Sequence, residues 1–266
     1  MIQTLRRYLK IYLLVEAQYI KARMQYRADF IISSIGMLLS SITGILLFWV
    51  VFNTIPTLAG WSFDELLFIY GFYLLALSPP QILFDNIWSL RMKVWDGSFI
   101  KYYFRPLNML FYYVSEVVDI KGFTQFVLGI LCIIYASAQL GLQWSLLKVL
   151  LLVAMVSTAS LVMISMLIIA GSSAFWIVNS YPVLAFAFKL REFAFYPVTI
   201  FDGFFRILFT YLIPLGFIAF YPAQVFLRPQ DISLTVYLSP LVGIVFFFIA
   251  YKVWTTGVNF YTGTGS

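Results

Sequence analysis

Residues that could do chemistry are few in this chain, and the densest group of them is a polar stretch, Arg91-Met-Lys-Val-Trp-Asp-Gly-Ser-Phe-Ile-Lys-Tyr-Tyr-Phe-Arg-Pro-Leu-Asn108. Four cations, an Asp-Gly break and several aromatics lie between two long apolar runs. The chemistry such residues offer is contact, charge and apolar knobs for a soluble partner, not bond making. Two smaller groups follow, Glu116, Asp119 and Lys121, then Lys189, Arg191 and Glu192, the latter interrupting an otherwise apolar segment. Ions near hydrocarbon are costly, so they persist where they have a partner or face water. The first group is accounted for by a solvated turn at the start of a span. The second either lines a pathway or marks a segment that does not cross.

Several chemistries are excluded outright. The chain has no His, which removes His-ligated metal sites, a Ser-His-Asp triad and an imidazole relay. Its single cysteine, Cys132, lies in an apolar run, so no internal disulfide forms, and it reads as a small buried hydrophobe. No phosphate loop of the G-x-x-x-x-G-K-[ST] type occurs, so ATP has no backbone cradle on this chain.

These groups must be positioned by membrane helices. Of the 266 residues, 62% are hydrophobic and only 11% charged, against about 25% charged in soluble domains. The composition predicts an all-α integral membrane protein with no separate globular domain, a single transmembrane unit spanning residues 1–266. Spans are expected near 30–52, 66–84, 111–138 (starting at about Phe111 or Ile120), 144–170 and 237–254, each close to the ~20 residues that cross a hydrocarbon core. Ser62-Phe-Asp-Glu65 is a capping-box pattern that starts the second. Between the fourth and last spans lie two further apolar segments, 175–195 and 204–226, and either is a candidate crossing. Pro79-Pro80 is expected to kink or unwind the second span. Gly36, Ser40 and Gly44 make a smooth ridge on the first, expected to pack inside the subunit or to form a dimer seam.

At the N-terminus, residues 5–27 predict an amphipathic interfacial helix. Tyr8, Tyr12, Tyr19 and Tyr26 fall within roughly 40° of one another on a helical wheel, opposite Arg7, Lys10 and Lys21. The stretch does not read as a cleaved signal peptide, because Glu16 interrupts it. Cations precede the first span and follow the second, whereas residues 53–65 contain none. That places both termini and the 88–108 loop on the cytoplasmic side of a plasma (inner) membrane. The net charge of +6 therefore reflects orientation and membrane lipids, not nucleic acid. Trp49, Trp61 and Trp144 are expected as anchors at outer ends and Trp88, Trp95 and Trp254 at inner ends.

Gly71-Phe-Tyr-Leu-Leu-Ala-Leu-Ser-Pro, Phe84-Asp-Asn86, Trp95-Asp-Gly97 and Arg105-Pro-Leu-Asn108 together resemble the permease subunits of ABC exporters whose ATPases are separate chains. Tyr196-Pro-Val-Thr-Ile-Phe-Asp-Gly-Phe-Phe-Arg-Ile-Leu, Tyr211-Leu-Ile-Pro-Leu and Tyr221-Pro-Ala are similar to that family's proline-punctuated re-entrant segment, and Tyr261-Thr-Gly-Thr-Gly-Ser266 to its short tail. The resemblance implies about six spans, the fifth being 175–195, and a re-entrant outer helical hairpin over 204–226. Counting cations favours the opposite choice, since a crossing at 204–226 would bring Lys189, Arg191 and Arg206 to the inner face.

The resemblance also implies partners: a second permease subunit, identical or related, and two ATPase subunits that carry the ATP and Mg²⁺, with no cofactor on this chain. The 88–108 loop is then the coupling element, with Arg91, Lys93, Trp95, Asp96, Gly97, Phe99, Ile100 and Arg105 as its working residues. Trp95, Phe99 and Ile100 are its apolar knobs, Asp96-Gly97 its turn, and Pro106 biases Arg105 away from helix. Phe72, Tyr73, Gln81, Lys189 and Arg191 are the candidate pathway residues for alternating access. Two rivals stand beside this account: a membrane-embedded enzyme acting on lipid, which needs convergent acids, bases or metal ligands, and an ATP-independent carrier, which needs paired carboxylates or inverted repeats at mid-membrane.

Overall fold

A computed structural model describes residues 27–230 and 233–262, with the side chains from Ile31 onward. Residues 5–26 of the expected N-terminal helix and the tail 263–266 lie outside the described residues. The architecture is all-α. Five helices are long and apolar enough to cross a bilayer: α1 (Arg27–Phe52), α2 (Phe63–Leu83), α5 (Gly122–Gln139), α6 (Leu146–Ser172) and α11 (Ser239–Phe260). The 21 residues of α2 rise about 31 Å, the thickness of a hydrocarbon core. Short helices occupy the connections: α3 (Leu90–Trp95), α4 (Met109–Val114), α7 (Tyr181–Leu190), α8 (Gly203–Ile207), α9 (Phe220–Leu227) and α10 (Leu234–Tyr237).

The buried helix is α2, which the other elements surround. Its capping box forms as the sequence predicts, with Ser62 Oγ accepting from the Glu65 amide and Glu65 Oε2 from the Ser62 amide. Helix α5 approaches so closely that a methyl group on Gly71 would lie 2.9 Å from the Gly129 carbonyl, and one on Gly129 equally near the Gly71 carbonyl. Without a solvophobic force between spans, such close backbone approach is what holds them together. Helices α6 and α11 form a second tight pair, where a methyl on Gly243 would collide with the Thr158 carbonyl.

Several boundaries differ from expectation. Helix α2 runs unbroken through Pro79 and Pro80, and the Phe84 amide still donates to the Pro80 carbonyl at 2.8 Å, so the pair does not unwind it. The third span starts at Gly122, and 109–114 is a separate short helix, because Asp119 is diverted: its amide bonds to Ile82 O and its carboxylate to the Lys121 amide and ammonium. Asp119 is 1% exposed, so it is not part of a solvated turn. On the small-residue ridge, Gly44 packs under the Tyr70 ring while Gly36 has open space beside it. Trp61 and Trp254 are buried inside the bundle, not anchored at a surface.

The segment 175–195 makes no straight span. Residues 173–175 finish α6 as a 3₁₀ turn, α7 begins at Tyr181, and a second 3₁₀ turn, 191–195, extends it. Even so, the chain passes from end to end here. Tyr181 and Phe188 pack on Trp88, just beyond the C-terminus of α2, while Phe195 packs on Tyr70 and Tyr73, and Thr199 accepts a hydrogen bond from Trp61 beside its N-terminus. Residues 203–228 then stay at that same end. Phe226 packs on Phe68 and Trp144, and Arg228 closes on Glu65 through Nε–Oε1 at 2.9 Å, on the Gly60 carbonyl at 2.7 Å and over the Trp61 ring at 3.6 Å. This leaves the 88–108 loop at the opposite end of α2.

Candidate functional site

The loop is assembled from short, well-terminated pieces. After Leu83 a 3₁₀ turn, 85–89, leads into α3. Two features stop α3. The Asp96 amide caps back to Met92 O at 2.9 Å, and Gly97 takes φ 76°, a left-handed conformation that favours glycine. Asp96 then accepts from the Ser98 amide at 2.9 Å and starts a 3₁₀ turn over 98–102. The Ser98 contacts hold the Asp96 carboxyl below the usual carboxylate range. Arg105 O accepts from Leu107, making a tight turn across Pro106, and Asn108 caps α4 through its Oδ1 and the Phe111 amide. The loop returns to its own start at Asn86 and Tyr113, whose side chains each donate to the other's backbone carbonyl.

The left-handed turn aims Phe99 inward. It is fully buried among Tyr102 (5.0 Å between ring centroids), Phe175 (5.1 Å), Tyr261 (5.3 Å) and Trp254 (6.1 Å). Tyr102 belongs to the loop itself, and the other three to the end of α6 and to α11 and its continuation. Tyr103 donates to the Val258 carbonyl, adding a second bond to α11. Phe99 is therefore an anchor beneath the loop and not one of its knobs, contrary to the sequence expectation.

Glu116 ties the charges together. Its carboxylate takes Lys93 at 3.0 Å, Lys101 at 2.8 Å and the Tyr102 hydroxyl. Burial acts to raise the Glu116 carboxyl, but the Lys101, Tyr102 and Lys93 contacts outweigh it and hold the group below its ordinary value. Burial, then the Glu116 contact, pushes the Tyr102 phenol well above its usual range, so it stays a donor. Lys93 is thus turned inward and is not a free docking charge.

Several apolar side chains of the loop are exposed. Trp95 is 56% exposed, Met92 50%, Ile100 41% and Phe104 77%. Asp96 and Arg105 are exposed beside them, with Arg105 5.9 Å from the Tyr112 ring. Arg91 is half-buried and, with Trp95, Trp176, Val178 and Phe260, lines a cleft of about 140 Å³ against the end of α11. Of the eight expected loop residues, Trp95, Asp96, Ile100 and Arg105 are exposed and Arg91 is partly so. Gly97 makes the turn, and Lys93 and Phe99 hold it from below.

The residues that sequence reasoning missed are the supports: Glu116, Tyr102, Phe175, Trp254 and Tyr261. Glu116 carried a signal, as a carboxylate close in sequence to several cations. The aromatics carried none, being scattered over 160 residues of an aromatic-rich chain.

The five expected pathway residues do not form one cluster. Phe72 and Tyr73 are buried in the core, and Tyr73 stacks on Tyr70 and meets Phe195 edge-on. Arg191 lies within electrostatic reach of Tyr73, Glu192 and Asp85, with its guanidinium 4.3 Å over the Phe188 ring. Among the described residues, Arg191 Nε and Gln81 Oε1 are buried without a hydrogen-bond partner. Lys189 points away, exposed and paired with Glu192 at 3.0 Å. Tyr73 and Arg191 are the two the fold brings near each other.

Residues 38–265 match the family model described as ABC-2 family transporter protein. No curated protein and no solved structure matches the chain.

Proposed function

Because this chain belongs to the ABC-2 transporter family, which makes it a permease component of an ABC transporter, we propose that it is the membrane half of an ATP-driven exporter. On this reading two permease subunits, identical or related, form a substrate pathway, and two separate ATPase chains hold ATP and Mg²⁺ and supply the work. The observation that carries it is the construction of the 91–105 surface. Exposed Trp95 and Ile100 flank the buried Phe99 in the chain, and Phe99 is packed on Phe175 and Trp254. A push on the exposed face therefore reaches α6 and α11 through ring contacts, with no flexible linker between. Close-packed interiors transmit displacement in this way.

Alternating access follows if closure of the ATPases moves α6 and α11 relative to α2, opening a cavity first to one side and then to the other for an amphipathic or lipid-derived substrate. Tyr73 and Arg191 are the pathway residues this reading favours. The cation distribution supports a plasma (inner) membrane location with the loop and both termini in the cytoplasm. Purification of the chain with its ATPases tests the assignment: a stoichiometric complex whose ATP turnover requires the permease is expected, and lipid chemistry by the lone chain would contradict it.

A further inference from the structure

Helices α5 and α6 follow one another in the chain, yet they barely meet, because each packs along α2 instead. The gap between them is a groove of about 230 Å³. Leu75 of α2 forms its floor, Ile130, Ile133 and Ile134 one wall, and Val149 and Leu152 the other, with Trp144 at the rim. Every lining residue is apolar. The groove opens sideways, where Ile134 is 61% and Val149 44% exposed on helices that span the membrane. In hydrocarbon no water is available to fill it, and a void forfeits the dispersion contacts of its walls. An acyl chain is the occupant that the surroundings supply, and it gains contacts on three sides here against one on a convex helix surface.

The rim adds a charge. Lys148 precedes Val149 and lies one helical turn from Leu152, on the groove side of α6. Its ammonium bonds to the Gln143 carbonyl at 2.7 Å, and no described carboxylate lies within ion-pair distance. Arg228, at the same end of the bundle, is by contrast paired with Glu65. Lys148 and Trp144 thus sit at headgroup level above an apolar slot, a cation and an amphipathic ring placed where a phosphate and a glycerol would lie.

We propose that the α5–α6 groove binds one glycerophospholipid of the leaflet opposite the 88–108 loop, an acyl chain lying on Leu75 and the phosphate on Lys148. The seated chain touches Trp144, whose ring stacks on Phe226 at 5.8 Å, so the lipid braces the 203–228 segment. This site does not depend on the ATPase assignment.

The test uses the full chain in lipid nanodiscs containing a trace of phospholipid with a diazirine near mid-acyl chain, followed by mass-spectrometric mapping of adducts. The α1 surface is the internal control, since Ile32, Leu39 and Val50 are as exposed and as apolar. Adducts on 130–134 and 149–152 are expected to exceed those on α1 several-fold, and Val149→Trp, which fills the slot, to remove the excess. Lys148→Gln, at an exposed position that leaves the helix intact, is expected to lower phospholipid labelling about fivefold while labelling by a diazirine diacylglycerol, which lacks the phosphate, is unchanged. Equal labelling of groove and α1 overturns the site. So does an excess that Val149→Trp leaves in place in a folded protein, or a phospholipid-to-diacylglycerol ratio that Lys148→Gln does not alter.

Discussion

The hydroxyl of Tyr261 donates to the carbonyl of Gly97 at 3.1 Å, bonding the chain just past the last long helix to the turn of the 88–108 loop. The turn and α11 are therefore one mechanical unit, joined again by Tyr103 and Val258. Tyr261→Phe removes the donor and keeps the ring that packs on Phe99. It is expected to cost about 0.5–1.5 kcal/mol and to raise hydrogen exchange at residues 97–100 while leaving α2 protected.

Gly97→Ala places a side chain at φ 76°, at a cost of roughly 1–2 kcal/mol. Gly97→Asn, which tolerates that region better, is expected to retain more stability. A thermal-melt series ordered wild type, Asn, Ala checks this, and Ala equal to wild type would mean the turn relaxes freely.

Phe99→Ala opens a cavity beneath the loop and is expected to destabilise the protein by about 3–5 kcal/mol. Trp95→Ala, on the exposed face, is expected to change stability by no more than about 0.5 kcal/mol. Unfolding in a mild detergent compares the two, and similar losses would contradict the division into anchor and knob.

Glu116 supplies a pH dependence whose sign is fixed. Its folded value is held below the ordinary carboxylate value. Its contribution is thus present above the unfolded value of about 4.3 and lost as pH falls through the lower folded one. Proteolytic nicking between Gly97 and Arg105 is expected to rise as pH falls below the unfolded carboxylate value of about 4.3. Glu116→Gln is expected to nick readily at neutral pH and to lose that pH response.

The spans were legible in the sequence because length and apolar composition suffice for them, and the Ser62–Glu65 capping box because its chemistry is local. The segment 175–195 was legible as a candidate crossing, but not its form, since its helix is broken into pieces too short to register by length. Side-chain facing in the loop was also hidden. Trp95 and Phe99 are equally apolar, and only the left-handed Gly97 decides that one points out and the other in. Trp61 and Trp254 read as surface anchors for the same reason: nothing local reveals that Arg228 covers one and Phe99 the other.

The central claim is that the exposed face around Trp95 receives an ATPase and that Phe99 carries its motion inward. It is tested most directly by measuring ATP turnover of the assembled, folded complex carrying Trp95→Ala. The account predicts intact permease, a fall in turnover of about tenfold or more, as for loss of a central aromatic contact worth about 2 kcal/mol, and weakened retention of the ATPase. Unchanged turnover with full retention would contradict it.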